Sequence, residues 1–446
     1  MAEGKRAEGD LTEGDRKGRP YGGAGLPVSD DDARKSQGGQ RRTLSACLPG
    51  LPPQEDSRWS VRMADSMLRR YPVSLMRWRY EDGFLMRAIE QAGLRAGDHS
   101  DGETGARYCQ AVLDYVGRFV DGDGNIATYQ VTDYNLDQVM PGRLLFGVHR
   151  ANGKEHYRRA IALQRAMALL VGQLRLQPRT RGGGFWHKLI YPYQMWLDGI
   201  YMACPFYTEY AATFDEPAAF DDVLHQIVTI EELTRDRSTG LLHHAWDESR
   251  QQRWSDPQTG RSPHVWCRAM GWFVMALVDV LDYLPSHHPG YDTIVGVLLR
   301  AMDGLLAAQD PATGLWRQVL DQGNRTGNYL EASGSCMIVY AMAKGARTGR
   351  LPGCWLDTAR LGYRQILDQF VRVDDRGETH LHGTCGMAGL GGDPYRDGSY
   401  EYYIGEPVVT DEPKGVAAFI LASVEVEAGE ALDQQGTGGG FVQGAE

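Results

Sequence analysis

At 446 residues the chain is long enough for one large domain or two smaller ones. Its formal charge is -11 and it has no long Lys/Arg block, which argues against nucleic acid and anionic membrane as partners. The cysteine count is odd, at seven, with no CxxC pair, and neither an apolar secretory core nor a membrane-length apolar run is present. These features predict a cytoplasmic protein in a reducing compartment, a monomer by default.

Residues 1–57 are rich in Gly, Ser and mixed charge with almost no periodic apolar positions, so they read as a disordered extension. Residues 58–428 read as one catalytic domain, and residues 429–446 as a flexible, Gly-rich, acidic tail. Within the domain the apolar period is helical. Runs cover 108–119, 157–174, 221–233, 266–284, 291–309, 332–346, 355–371 and 415–426. In the run from Trp266, apolar residues fall at Met270, Phe273, Leu277, Val280 and Leu284. Strictly alternating runs are scarce and short.

The connections repeat. Asp121-Gly-Asp-Gly-Asn125, Asp236-Arg-Ser-Thr-Gly240, Asp310-Pro-Ala-Thr-Gly314 and Asp374-Asp-Arg-Gly377 are polar turns, each followed by a short extended piece. Their glycines, Gly124, Gly240, Gly314 and Gly377, recur at a spacing that suits a helical-hairpin repeat. The expected fold is all-α, a ring of six helical hairpins, or (α/α)6 barrel, in which helix ends and loops enclose a cavity. The first turn starts like a calcium loop, but Thr132 stands where an EF-hand needs Glu, so it reads as a turn.

The segment 185–202 is the richest in chemistry. It sets Asp198 among Phe185, Trp186, Tyr191, Tyr193, Trp196 and Tyr201, with His187 and Lys188 nearby. Aromatic faces carry sugar rings, and an acid among them can protonate a substrate; Asp198 also reads as a helix N-terminal acid stabilised by the macrodipole. Asp137 is a second carboxylate, as a glycosidase commonly has, or an N-cap. His187 and Lys188 follow Gly182-Gly-Gly, which allows close approach to a ligand or a flexible turn. Arg268 lies between Trp266 and Trp272, where it could grip a carboxylate bidentately or pack its stem on a ring. His243 and His244 are adjacent, but no HExxH or third spaced ligand supports a metal. No GxSxG, P-loop or dinucleotide fingerprint occurs.

Gly-Gly-Phe-Trp-His-Lys, Tyr-Pro-Tyr-Gln-Met-Trp-Leu-Asp-Gly, Gly-Leu-Leu-His-His-Ala-Trp-Asp-Glu, Ala-Met-Gly-Trp-Phe, Thr-Gly-Leu-Trp-Arg-Gln-Val-Leu-Asp and Tyr-Leu-Glu-Ala-Ser-Gly-Ser-Cys-Met occur in order along the chain. Together these strings resemble the unsaturated rhamnogalacturonyl hydrolases, glycoside hydrolase family 105, from about Met63 to Glu427. The resemblance implies a six-hairpin α/α barrel and a single-acid mechanism on a 4,5-unsaturated galacturonyl residue linked to rhamnose. It places the catalytic acid on Asp198 and the second acid on Asp137. It places sugar contacts on Tyr80, His187, Lys188, His244, Trp266, Arg268 and Trp272, with the 383–392 loop as a cover. The implied partner is a small unsaturated disaccharide, with no metal and no organic cofactor. The alternatives are an unsaturated glucuronyl hydrolase acting on other polysaccharide fragments and a non-catalytic sugar-binding barrel.

The chemistry asks for one feature in particular. Protonating C4 of an enol ether requires an acid that holds its proton, so the expectation is that Asp198 has a raised pKa.

Overall fold

The computed structural model describes residues 58–98, 101–151 and 157–437. Helices α1 (Trp59–Arg70), α2 (Tyr80–Asp98), α3 (Gly102–Phe119), α4 (Arg143–Ala151) and α5 (Tyr157–Leu176) come first. They are followed by α6 (Leu197–Phe214), α7 (Ala218–Thr234), α8 (Cys267–Val280) and α9 (Tyr291–Ala307). The chain continues through α10 (Ala332–Arg347), α11 (Cys354–Phe370), the short α12 (Tyr400–Gly405) and α13 (Pro413–Thr437).

Two helix classes build the ring. Every residue of α8 is buried, as is α10 from Ala332 to Gly345, because both are largely apolar and have neighbours on every side. By contrast α3 and α11 bury one stripe each. The inner helices follow one another around the ring as α2, α4, α6, α8, α10 and α13, and α13 packs back on α2. Outside them lie α3, α5, α7, α9 and α11, and α1 backs α13, so the ring closes with a hairpin made from both ends of the domain. This is the expected six-hairpin α/α barrel.

From α3 onward, each outer helix leads into the next inner helix through a connection at one end of the barrel. Asp121, Asp236, Asp310 and Asp374 accept backbone N–H bonds from their own turns, and Gly124, Gly240, Gly314 and Gly377 sit at positive φ where a side chain would be strained. The inner N-termini therefore gather at this end, which we call the mouth. Short ladders brace it: β1 (Gln194–Trp196) with β2 (Ala245–Asp247), β3 (Val371–Val373) with β4 (Thr379–Leu381), and β5 (Thr384–Cys385) with β6 (Val408–Val409), all antiparallel.

Helix α13 runs to Thr437; Gly429 lies against Leu356 of α11, and the following residues include good helix formers. The expected disorder of residues 1–57 and the last part of the acidic tail, 438–446, lie outside the described residues. No described helix is long and apolar enough to cross a membrane.

Candidate active site

The mouth assembles residues far apart in sequence. In the β1–β2 ladder Trp196 faces Ala245, and the Leu197 N–H donates to the His244 carbonyl at 3.1 Å. That register sets Asp198, in the first turn of α6, beside His244: Nε2 lies 3.1 Å from the Asp198 Oδ2. His244 is fully buried, while 15 % of the Asp198 side chain is exposed. The other His244 nitrogen, Nδ1, lies 2.8 Å from the Tyr403 hydroxyl on α12.

Asp137 occupies a short 3-10 turn between α3 and α4. Its own N–H is capped by the Asn135 side chain at 3.0 Å, so capping falls to Asn135 and the Asp137 carboxylate is left for other work. It is an ion-pair partner of Lys188, 2.5 Å from Nζ, and faces His187 Nε2 at 3.5 Å. The Leu136 N–H donates to the His187 carbonyl at 3.2 Å, which ties the two segments together.

Three flat rings form one wall. His187 stacks on Trp196 (4.8 Å between centroids, 11° apart), and Tyr191 stacks on Trp196 (5.0 Å, 8°). Gly199 makes this possible. A Cβ there would sit 3.0 Å from His187 Nδ1 and 3.2 Å from Leu136, which explains the glycine after Asp198. Arg396 donates to the Tyr191 hydroxyl at 3.1 Å and fastens the stack to the loop before α12.

The electrostatics correct the expectation for Asp198. Burial pushes its carboxyl up, but the nearby His244 charge and hydrogen bond, then His187 and the helix backbone, outweigh burial and hold it below the ordinary value. His187 is pushed down to about 4, chiefly by burial, with Asp137 opposing and Lys188 adding to the fall. Burial would lower Lys188 too, but Asp137 outweighs it and the ammonium is held charged.

The other expected contacts divide. Tyr80 opens α2, is half-buried, and lies edge-on to Trp272 at 6.4 Å. Trp272 itself is 1 % exposed, packed on Phe84 (4.7 Å) and Tyr201 (4.8 Å), so it is a layer beneath the pocket rather than a bare face. Trp266 is equally buried, held by Gln318 at 3.1 Å and packed on His244 at 4.9 Å. Arg268 is at the mouth but its donors are engaged. Nε donates to Ser333 at 2.8 Å, one terminal nitrogen to the Cys385 carbonyl and the other to the Gly386 carbonyl at 3.4 Å. These bonds pin the start of the 383–392 loop, and the guanidinium lies 5.3 Å over the Trp266 ring.

Several participants carried no local signal. Glu331, fully buried, caps α10 through Ser333 and Gly334 and also accepts the Cys385 N–H at 2.9 Å. Lys414, at the start of α13, pairs with Glu412 and lies 5.8 Å over the Tyr80 ring. Arg396, just beyond the 383–392 loop, and Tyr403, on α12, lie outside the motifs. No group of three or more His, Cys, Asp or Glu among the described residues is placed to hold a metal ion.

The arrangement sets two partly exposed carboxylates, Asp198 and Asp137, beside His244 and His187, with rings and cations around them. A family model, Glycosyl Hydrolase Family 88, matches residues 59–429. A solved family 105 glycoside hydrolase from C. acetobutylicum ATCC 824 is 41 % identical, with 83 % of this chain and 100 % of that one covered and a TM-score of 0.77. The unsaturated rhamnogalacturonyl hydrolase YesR of Bacillus subtilis is 28 % identical over 213 residues, 47 % of this chain and 57 % of YesR. The solved unsaturated glucuronyl hydrolase of Bacillus sp. GL1 shares the fold at 14 % identity and TM-score 0.56, covering 83 % of this chain and 95 % of that one. The match over nearly the whole described domain shows that this chain belongs to the family 88/105 glycoside hydrolases, the unsaturated glycuronyl hydrolases.

Proposed function

We propose that the protein hydrates the C4=C5 bond of a 4,5-unsaturated galacturonyl residue linked to rhamnose, releasing rhamnose and 5-dehydro-4-deoxy-glucuronate. The observation that carries the reading is a partly exposed carboxylate, Asp198, paired with buried His244 at 3.1 Å in a ring-walled mouth. The C4=C5 bond beside the ring oxygen is an enol ether. The Asp198–His244 pair gives its proton to C4, and the π electrons form the new C–H bond. Positive charge then develops at C5 and the ring oxygen, and water adds at C5 as Asp198 takes its proton back. The resulting hemiketal opens the ring and expels the aglycone, so atoms and charge balance without a metal or organic cofactor.

Asp137, fixed by Lys188 and His187, is the group that orients a substrate hydroxyl or the water. The lowered Asp198 value shifts the question from the acid alone to the pair, whose shared proton is the one delivered. Similarity to YesR favours the rhamnose-linked substrate. The fold shared with the unsaturated glucuronyl hydrolase motivates a second reading, an unsaturated glucuronyl unit on another sugar. We further assign the enzyme to the cytoplasm, acting as a monomer.

Loss of double-bond absorbance on lyase-generated disaccharides tests this. Rhamnose-linked substrate should be consumed faster than hexosamine-linked substrate, and the reverse order selects the second reading. Asp198→Asn should abolish turnover, by about a thousandfold or more; undiminished turnover rejects the assignment.

A further inference from the structure

We propose that Tyr403 is a positioning residue for the reaction, setting through His244 how firmly the Asp198–His244 pair holds the proton it delivers. This rests on the function proposed above. Tyr403 and His244 are both fully buried, and the Tyr403 hydroxyl has His244 Nδ1, at 2.8 Å, as its hydrogen-bond partner among the described residues. Trp266 stacks on the Tyr403 ring at 6.1 Å and packs on His244 at 4.9 Å, and Trp196 meets His244 edge-on at 5.3 Å. The relay therefore runs between apolar walls. Helix α12 is held firmly: Ser399 caps it, and Gln318 donates to the Tyr403 carbonyl at 3.1 Å.

The proton accounting gives Tyr403 its role. With His244 neutral, the tyrosine O–H donates to Nδ1, so Nε2 carries its hydrogen and donates to the Asp198 carboxylate. One further proton makes the imidazolium, whose Nδ1–H now donates to the tyrosine oxygen. The hydroxyl rotates from donor to acceptor, and the buried charge is never left without a partner. Asp198 takes the Nε2 proton and passes it to the substrate C4, which leaves the neutral Nδ1–H tautomer still donating to the tyrosine oxygen. The return of a proton from the added water resets the relay.

The ionisable groups around the relay are Asp198 on α6 and His187 on the preceding loop. Beside Tyr403 lie Tyr402 on its own helix, Asp321 on the loop before α10, and Cys385 on β5. None of the others makes a hydrogen bond to His244 among the described residues.

A hydrogen bond to the charged imidazolium is worth more than the one to neutral imidazole. Removing the hydroxyl should therefore weaken proton retention. In Tyr403→Phe the alkaline limb of the kcat/KM profile should move toward acid by about one pH unit, with the acid plateau within a few fold of wild type. A limb that stays put, or a decline uniform across pH, overturns the proposal and leaves Tyr403 a packing role. Should that variant fail to fold, 3-fluorotyrosine at position 403 keeps the shape and makes a poorer acceptor. It should shift the limb in the same direction, and no shift again overturns the proposal. A wild-type enzyme that consumes no unsaturated uronyl disaccharide overturns both this and the function it rests on. A wild type that turns over beside an unmoved variant overturns this alone.

Discussion

The mouth and the opposite end of the barrel bury the same kinds of group and use them differently. At the far end Asp279 accepts from Arg143 at 2.7 Å, Lys344 at 2.6 Å and the Tyr340 hydroxyl at 2.6 Å, and Lys344 also reaches Asp282 at 2.6 Å. A cavity of about 170 Å³ lies among these residues. Burial pushes the Asp279 carboxyl up, yet Lys344 and Arg143 outweigh it and hold it far below the ordinary carboxylate range. Only 3 % of its side chain is exposed, against 15 % for Asp198. Both acids are low, but for different reasons. Asp279 is locked by two permanent cations, whereas Asp198 faces a histidine, a group that can pass a proton. Burial alone therefore does not distinguish the two acids; the kind of partner does.

The largest test of this contrast is Asp279→Ala. It leaves Arg143 and Lys344 buried without their shared anion and should cost about 3–5 kcal/mol in urea unfolding. Turnover per folded molecule should hardly change. A loss below about 1 kcal/mol, or a selective loss of kcat, would break the division between a structural end and a catalytic end. The depressed Asp279 value also sets a sign. Its contribution to stability is present above the unfolded carboxylate range and disappears as pH falls toward the folded value, so Asp279→Ala should flatten acid unfolding.

Next comes Lys188→Met. Asp137 loses its ammonium, and kcat/KM should fall about tenfold. His187 loses one of the charges that keep it near 4, so its NMR titration should move up toward the ordinary 6.5. A His187 value unmoved in this variant would mean the three groups do not act as a unit. In wild type the His187 contribution is present above 6.5 and lost as pH falls through about 4.

The smallest effect belongs to Tyr191→Phe. It removes the Arg396 bond to the stack and should cost about 1 kcal/mol or less of stability with kcat unchanged. A large fall in kcat would bring the outer wall into the chemistry.

Much of this was legible in the residues. The Asp-to-Gly turns announced hairpins because an aspartate that caps its own turn and a glycine at positive φ are local requirements, met within five residues. The Trp-Leu-Asp-Gly segment announced an acid beside rings because β1 delivers Trp196 and α6 delivers Asp198 in immediate succession. Arg268 was legible only in part. Its guanidinium lies over the Trp266 ring, two positions away, but it also meets carbonyls at Cys385 and Gly386, over a hundred positions away. Tyr403 gave no sign, since its partner His244 lies on another hairpin, while Glu331 and Lys414 each join a local partner to one distant in sequence. The Asp198 value was misjudged because burial was foreseen and His244 as its counterweight was not.

The closure of the ring by α1 against α13 has a consequence for biosynthesis. On the ribosome, five hairpins emerge in order, but the sixth unites the domain's first helix with its last. Until α13 is made, α1 lacks its main packing partner and α2 one of its two, and Lys414 is absent from the mouth. A nascent chain stopped before residue 413 should thus hold Asp198 and His244 in an open arc of helices, with catalytic competence arriving as a late, all-or-none event of chain completion.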